Sequence, residues 1–267
     1  MSEPQQDNMK VTILGCGTSG GVPRIGNVWG ACDPNNPKNR RRRVSILVEQ
    51  GENNLLIDTS PDIREQCLDA NITSLDAVLY THDHADHTHG IDDLRGLYQN
   101  MNHKRPRSQR SRIPVYGNDV TLNILKRRFG YIFTPQQGYP AICDAHEIDE
   151  NAFVAANMKI QPIPLTHGNI TSFGYRIGSM AYTTDLNAIP EDSKQHLQGL
   201  DLWIVDALRP EPHPTHPHLD LTLSWIEEFK PKHAILTHMA WQMDYETLRK
   251  SLPAGVEPGY DGMVITV

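Results

Sequence analysis

Thr81-His82-Asp83-His84-Ala85-Asp86-His87 stands directly behind the apolar run Ala77-Val78-Leu79-Tyr80, and this junction decides the fold. A short continuous apolar run bounded by polar residues reads as a buried strand, here one that ends at histidines. His82 and His84 lie two apart, so in extended backbone their imidazoles point the same way. Asp86 and His87 follow where the chain turns. Imidazole nitrogens with a carboxylate oxygen suit zinc, manganese or iron(II), and these donors are too many for one tetrahedral ion with an open position. Two adjacent ions are therefore expected. The bland alternative is a solvated histidine-rich turn.

Working outward, the same device recurs. Phe153 to Leu165 holds two expected strands that deliver Thr166-His167-Gly168. The hairpin Ser172 to Ile177 and Met180 to Thr184 ends at Asp185, Leu202 to Val205 ends at Asp206, and His233 to Thr237 ends at His238. Upstream, Met9 to Leu14, Val44 to Glu49 and Asn54 to Ile57 read as strands, the last ending at Asp58. Metal-binding types at strand ends sit on rigid elements, as a fixed two-metal geometry requires. Asp58 and Asp206 are expected to orient ligand histidines from behind, though Asp58 could equally cap a turn. Pro61 to Ala70 should be helical with Ser60 as its cap, and Asn118 or Asp119 should cap the run Val120 to Phe129. Strand-rich segments alternating with helices in both halves imply an α+β fold, a four-layer αββα sandwich with helices outside two packed sheets.

The 267 residues suffice for one large domain, expected over 9–267 behind a polar, disordered tail of residues 1–8. No apolar run approaches a membrane span. Four cysteines without pairing rhythm fit a reducing cytoplasm. A net charge of −7 argues against a whole-surface nucleic-acid binder while leaving room for a local basic patch. Asn100 to Arg112 supplies such a patch, either a mobile loop or part of a substrate rim.

Gly15-Cys16-Gly17-Thr18-Ser19-Gly20-Gly21-Val22-Pro23 contains the G-x-G-x-x-G spacing behind a strand. Gly21, Pro23 and Gly26 deny the helix that a dinucleotide fold needs at the third glycine. A loop passing close to the metal site is expected instead, with Gly20 and Gly21 offering N–H groups to an anion. In Arg40-Arg41-Arg42-Arg43 a solvated charge run is the default, and phosphate contact by Arg42 and Arg43 is the sharper reading.

The His-x-His-x-Asp-His stretch resembles the signature of the metallo-β-lactamase superfamily. That resemblance implies the sandwich fold and a ligand set: His82, His84 and His167 on one ion, Asp86, His87 and His238 on the other, and Asp185 bridging. A narrower resemblance, to the 5-phosphoribosyl 1,2-cyclic phosphate phosphodiesterase family of phosphonate degradation, rests on the glycine loop, Ser172-Phe173-Gly174-Tyr175 and Gly259-Tyr260-Asp261-Gly262-Met263. In that family an acid histidine opens a His-x-Asp-Leu element, matched by His218-Leu219-Asp220-Leu221, so His218 is the expected general acid and His216 the second choice. The family's structural zinc has no counterpart: of its cysteines only Cys32 remains, and Trp241 stands three beyond His238, where a histidine would be.

Two divalent ions (Zn2+ or Mn2+), the carboxylates of Asp86 and Asp185 and a bridging hydroxide would leave roughly one net positive charge. Such a centre suits a phosphodiester, with hydroxide as nucleophile, Asp86 as a catalytic ligand and a histidine protonating the leaving alkoxide. The expected function is a dinuclear phosphodiesterase acting on a small, cyclic ribose or nucleotide phosphodiester. The rivals are a transfer-RNA 3′-end ribonuclease, a lactone or thioester hydrolase, and a metal-bound nucleotide sensor. A small phosphodiester or nucleotide is the expected partner; nucleic acid is disfavoured, a membrane is not expected, and monomer and homodimer both stay open.

Overall fold

The computed structural model describes residues 8–267, so the tail expected over 1–8 lies, apart from Asn8, outside the described residues. Among the described residues, fourteen strands form two seven-stranded sheets. The first sheet takes β1 (Met9–Gly15), β2 (Ser45–Gln50), β3 (Asn53–Ile57), β4 (Ala77–Leu79), β5 (Ile113–Gly117) and β6 (Cys143–Glu147). The second takes β7 (Phe153–Ala155), β8 (Met158–His167), β9 (Ile170–Ile177), β10 (Met180–Thr183), β11 (Leu202–Asp206), β12 (His233–Thr237) and β13 (Val256–Pro258), after which β14 (Val264–Thr266) returns to pair with β1. Each sheet is antiparallel on one side and parallel on the other: β3, β4, β5 and β6 run parallel in the first, and β10, β11, β12 and β13 in the second.

Period-two alternation explains the layering. Ile46, Val48, Leu55, Ile57, Ala77 and Leu79 face the second sheet and share one core with Ile160, Ile163, Leu165, Tyr175 and Tyr182. Their neighbours Leu47, Leu56, Val78 and Tyr80 face outward, into a second core with Ile63, Leu94, Leu97, Leu122 and Leu125 from the covering helices. On the far side, Trp203 meets Phe229 of the helix Leu219–Phe229 edge to face, centroids 5.6 Å apart. The expected αββα sandwich is the observed architecture.

Local differences have physical causes. The first helix runs over Ile63–Asp69, not from Pro61, with Asp62 in the capping position. Ser60 instead accepts from Asp62 N–H at 3.1 Å and donates to Gln66 at 2.8 Å, closing the turn that precedes the helix. Asn118 is the cap of Asp119–Arg128, accepting from Thr121 N–H at 2.8 Å. The basic segment 100–112 is pinned at its base, because Asn102 donates to the Tyr98 and Ser111 carbonyls and accepts from Ser111 N–H. Cys143–Glu147, too polar to read as a strand, pairs at the edge of the first sheet.

Gly90 binds the metal-motif segment to the end of β3. Its N–H donates to Thr59 O at 3.0 Å, and a Cβ at this position would lie 2.0 Å from Ser60 O and 2.5 Å from Ile63 Cγ2. Gly90→Ala should therefore cost about 1–3 kcal/mol through overpacking, read as a lower urea midpoint at unchanged slope; an unchanged midpoint would refute this packing account.

Candidate metal centre

Every sequence-singled donor sits at the C-terminal end of a strand or on the turn that follows. His82 lies three residues past β4, and the chain stays extended to His84 (φ −62°, ψ 153°) before the one-turn helix Ala85–Thr88 presents Asp86 and His87. His167 closes β8 and Asp206 closes β11, while Asp185 and His238 follow β10 and β12. Carboxyl ends of parallel strands are where open α/β sheets place their sites.

Partners behind each ring set its orientation and tautomer. Asp58 accepts from Thr81 N–H (2.9 Å), Thr81 Oγ1–H (2.9 Å) and His87 Nδ1–H (2.7 Å). Since Thr81 Oγ1 gives its proton to Asp58, it accepts from His82 Nδ1–H at 3.0 Å. The Thr215 carbonyl can only accept, so His167 Nδ1 donates to it at 2.8 Å. With Nδ1 protonated, the Nε2 lone pairs of His82, His87 and His167 point inward. Fixing a ligand ring through its far nitrogen is how metal-site histidines are held.

The inward atoms form two groups that share Asp185. Its Oδ2 lies 3.7 Å from His82 Nε2 and 3.6 Å from His167 Nε2, and His84 Nδ1 stands 3.4 Å from His167 Nε2. Its Oδ1 lies 3.1 Å from His87 Nε2 and 3.3 Å from His238 Nε2, with Asp86 Oδ2 at 3.4 Å and 3.5 Å from the same two nitrogens. Within each group of four the donor atoms lie within 4.8 Å of one another. His82, His87 and His238 are almost wholly buried, yet their Nε2 atoms have no hydrogen-bond partner. Buried polar atoms without partners are costly, and converging nitrogen lone pairs beside carboxylates are what divalent cations satisfy. The residues fit two such ions. Burial would raise the Asp185 carboxyl, but the positive charge of protonated His238 and His87 beside it holds it well below the ordinary carboxylate range, as a cation bound to their lone pairs would.

Asp206 and His216 complete the centre. Asp206 Oδ2 accepts from Asp185 N–H at 3.0 Å and from His216 Nδ1 at 2.8 Å. His216 stacks on His238 (centroids 4.6 Å apart, 13° between planes), and its Nε2 lies 3.8 Å from Asp185 Oδ2. His213 packs on His216 at 5.2 Å. His218 stands at the N-cap of Leu219–Phe229, where its carbonyl accepts from Thr222 N–H. A cleft of about 280 Å3 opens over the centre, lined by His84, Asp86, His167, Asp185, His216 and His238 with Ser19, Asn169, Ile170 and Thr215; His218 is not in its wall.

The arginines expected to touch substrate do not reach this cleft. Arg43 Nε pairs with Asp62 at 3.0 Å, and Arg42 pairs with Asp69 and lines a separate cavity with Lys10 and Asp261. The reason is backbone pairing: Arg42 O accepts from Gly17 N–H, which turns these side chains onto the helix Ile63–Asp69. Gly20 and Gly21 are likewise outside the wall, and Gly21 N–H is used within its own turn, bonding Thr18 O at 2.8 Å. Their neighbour Ser19 lines the cleft instead. Thr81, as anchor of His82, was detectable from its place before the motif; Asn169, Ile170 and Thr215 carried no signal.

Comparison with known proteins agrees with this geometry. Residues 53–239 match the β-lactamase superfamily domain. The chain is similar to the solved structure of a diphosphatase from the PhnP family, with 39% identity, 97% of each chain covered and a TM-score of 0.89. It is 31% identical over 96% of its length to an octanoyltransferase of Porphyromonas gingivalis, and 27% identical over 54% to a ribonuclease Z of Bradyrhizobium diazoefficiens. The chain spans about half the length of the curated relatives it matches, 51% and 47% respectively.

Asp58→Asn tests the anchoring of His87 and Thr81. The amide can no longer accept on both sides, so metal affinity should fall about 10–100-fold, measured by competition with a chelator; equal affinity in the variant would show that Asp58 positions nothing.

Proposed function

Because this chain belongs to the β-lactamase superfamily, and within it to the PhnP family, we propose that it is a two-metal phosphodiesterase acting on a small, cyclic ribose or nucleotide phosphodiester. The observation that carries the reading is the Asp185 carboxylate, whose two oxygens face two separate sets of histidines. In this reading His82, His84 and His167 hold one cation, Asp86, His87 and His238 hold the other, and Asp185 touches both. Two divalent cations, zinc or manganese, would supply Lewis acidity toward a phosphoryl oxygen and an acidified water as nucleophile.

The chain's own residues do the rest. Asp206 fixes the His216 ring by its Nδ1 proton and so aims Nε2 at the cleft. A proton on that Nε2 is placed to pass to the departing alkoxide, the step a histidine serves well. His216 thus takes precedence over His218, which caps a helix away from the cleft wall. Thr215 and Ile170 are part of the lining, and a cleft of about 280 Å3 is at the small end of ligand sites. That size supports a small ester over a polymer, and the basic segment 100–112 takes no part in the wall. Residues 9–267 would act as one hydrolase unit, and the four free thiols suit a reducing cytoplasm. No helix among the described residues is long and apolar enough to cross a membrane.

Two measurements test this. On a panel of a cyclic ribose phosphodiester, a 2′,3′-cyclic nucleotide, a nucleoside diphosphate ester, a precursor transfer RNA, a lactone and a thioester, the cyclic phosphodiesters should be turned over fastest. A preference for the RNA would favour the ribonuclease reading, and a preference for the diphosphate would favour the activity of the PhnP-family relative. His216→Ala should keep about two ions per chain by elemental analysis and lose about 10²–10⁴-fold in kcat on alkoxide leaving groups, with a much smaller loss on 4-nitrophenolate. His218→Ala should change kcat only slightly; the reverse pattern would return the acid role to His218.

A further inference from the structure

We propose that Asn169, at the tip of the β8–β9 hairpin, is a specificity-determining residue that reads a free hydroxyl of the sugar carried on the scissile phosphate. This deepens the phosphodiesterase reading and rests on it.

The first support is what the cleft wall leaves unused. Its titratable side chains belong to the metal cup or to His216, so the rest of a substrate meets Ser19, Asn169, Ile170 and Thr215. The Thr215 hydroxyl is already engaged with His213 Nδ1 at 3.3 Å. The side chains of Ser19 and Asn169 are exposed and make no hydrogen bond among the described residues. Both are neutral and can donate and accept at once, which is what a hydroxyl does in return. A nucleobase would want an aromatic face, and among the described residues histidines supply the only rings of this wall. An acyl chain would want a mainly apolar lining, and Ile170, 37% exposed, is the one large apolar side chain there. A single such side chain suits the C–H face of a sugar.

The second support is how Asn169 is held. His167 pairs across to Ile170, so Gly168-Asn169 is a two-residue turn. Gly168 takes φ 58° and Asn169 does not share the positive φ, the pattern of a type II′ turn. A histidine of the metal cup and the Asn169 amide are thus two residues apart on one hairpin tip. Gly168 N–H donates to Asn187 Oδ1 at 2.7 Å, and Asn187 N–H donates to Thr166 O at 2.7 Å. A Cβ on Gly168 would lie 2.8 Å from Thr215 Cγ2, so the tip is also seated against the loop that carries His216. A turn braced before ligand arrives loses little freedom on binding. Ser19 reaches the cleft from the loop after β1 of the first sheet, so the two free hydrogen-bonding side chains of the wall come from different sheets.

The test compares metal-loaded wild type and Asn169→Ala on ribose 1,2-cyclic phosphate and on its 3-deoxy and 5-deoxy analogues. Wild type should favour the parent over one of the two analogues by about 3–10-fold in kcat/KM, the worth of one neutral hydrogen bond at a solvated wall. Asn169→Ala should lose the same factor on the parent and nothing further on that analogue, so that the preference collapses while metal content by elemental analysis stays that of wild type. Equal losses on all three sugars would overturn the proposal, as would a wild type without preference. Loss of metal from the variant would make Asn169 a support of His167 and overturn it too. If no sugar were turned over, the phosphodiesterase reading itself would fail. Calorimetric titration of both loaded proteins with ribose 1-phosphate and with inorganic phosphate would then decide. Weaker binding of the sugar phosphate alone by the variant sustains the hydroxyl site, and equal binding of both ligands ends it.

Discussion

A carboxylate buried between two sets of imidazoles is the constraint to which the rest of this molecule answers. Asp185 is almost fully buried, and each of its oxygens faces its own pair of histidine nitrogens at 3.1–3.7 Å. Charged and polar groups out of water must be compensated locally. The chain meets that demand by division: Asp58, Thr81 and Thr215 take the outward Nδ1 protons, and the inward Nε2 lone pairs are left for cations. A cup with only acceptors pointing into it has one kind of natural guest.

Holding that cup requires backbone that most side chains avoid. Asp58, Asp185 and His238 all have positive φ, at 64°, 54° and 55°, and such residues cost of order 1–3 kcal/mol each. All three follow strand ends, where the register of neighbouring strands over-determines the turn. The twin arrangement of the sheets makes this workable. Parallel strands of both sheets point their carboxyl ends at the same place, so donors from β4 and from β10, β11 and β12 arrive on stiff supports from two sides. Asp206 adds a tie across the second sheet, joining Asp185 N–H and His216 through one oxygen.

What sequence could reveal here follows from that geometry. Most strands leading to the cup are apolar runs stopped by a histidine or aspartate, so the sandwich was legible, and so were the seven side chains that the structure brings together there. Asp58, behind His87, was legible for the same reason; Asp206 instead bonds His216, and the Nδ1 of His238 finds no hydrogen-bond partner. Facing direction outside regular strands was not. Arg42 and Arg43 sit in a segment whose backbone pairs with the glycine loop, and only that pairing turns their side chains toward Asp69 and Asp62. His216 and His218 are two apart in a proline-rich loop with no period to read. Their exchange of places depends on where the helix starts, at Leu219. Polar Cys143–Glu147 lacked the hydrophobic pattern of a strand because an edge strand buries little.

The glycine loop raises a separate problem of support. It forms one wall of the cleft through Ser19, but a loop this rich in glycine has little side-chain packing of its own. Its support comes from Arg41, buried at 1% exposure. A buried guanidinium must find acceptors, and Arg41 finds the carbonyls of Met243 at 2.6 Å and Ala240 at 3.5 Å and the Asn39 side chain at 3.4 Å. Asn39 passes the connection on, donating to Asp244 at 2.7 Å and accepting from Tyr245 N–H at 2.8 Å. Ala240, Met243, Asp244 and Tyr245 all lie just beyond His238. Cys32 is a neighbour of the same guanidinium, 3.7 Å from Nη1. The charge therefore cross-links the loop to the segment that follows His238. The cleft wall and His238 are thereby one mechanical unit.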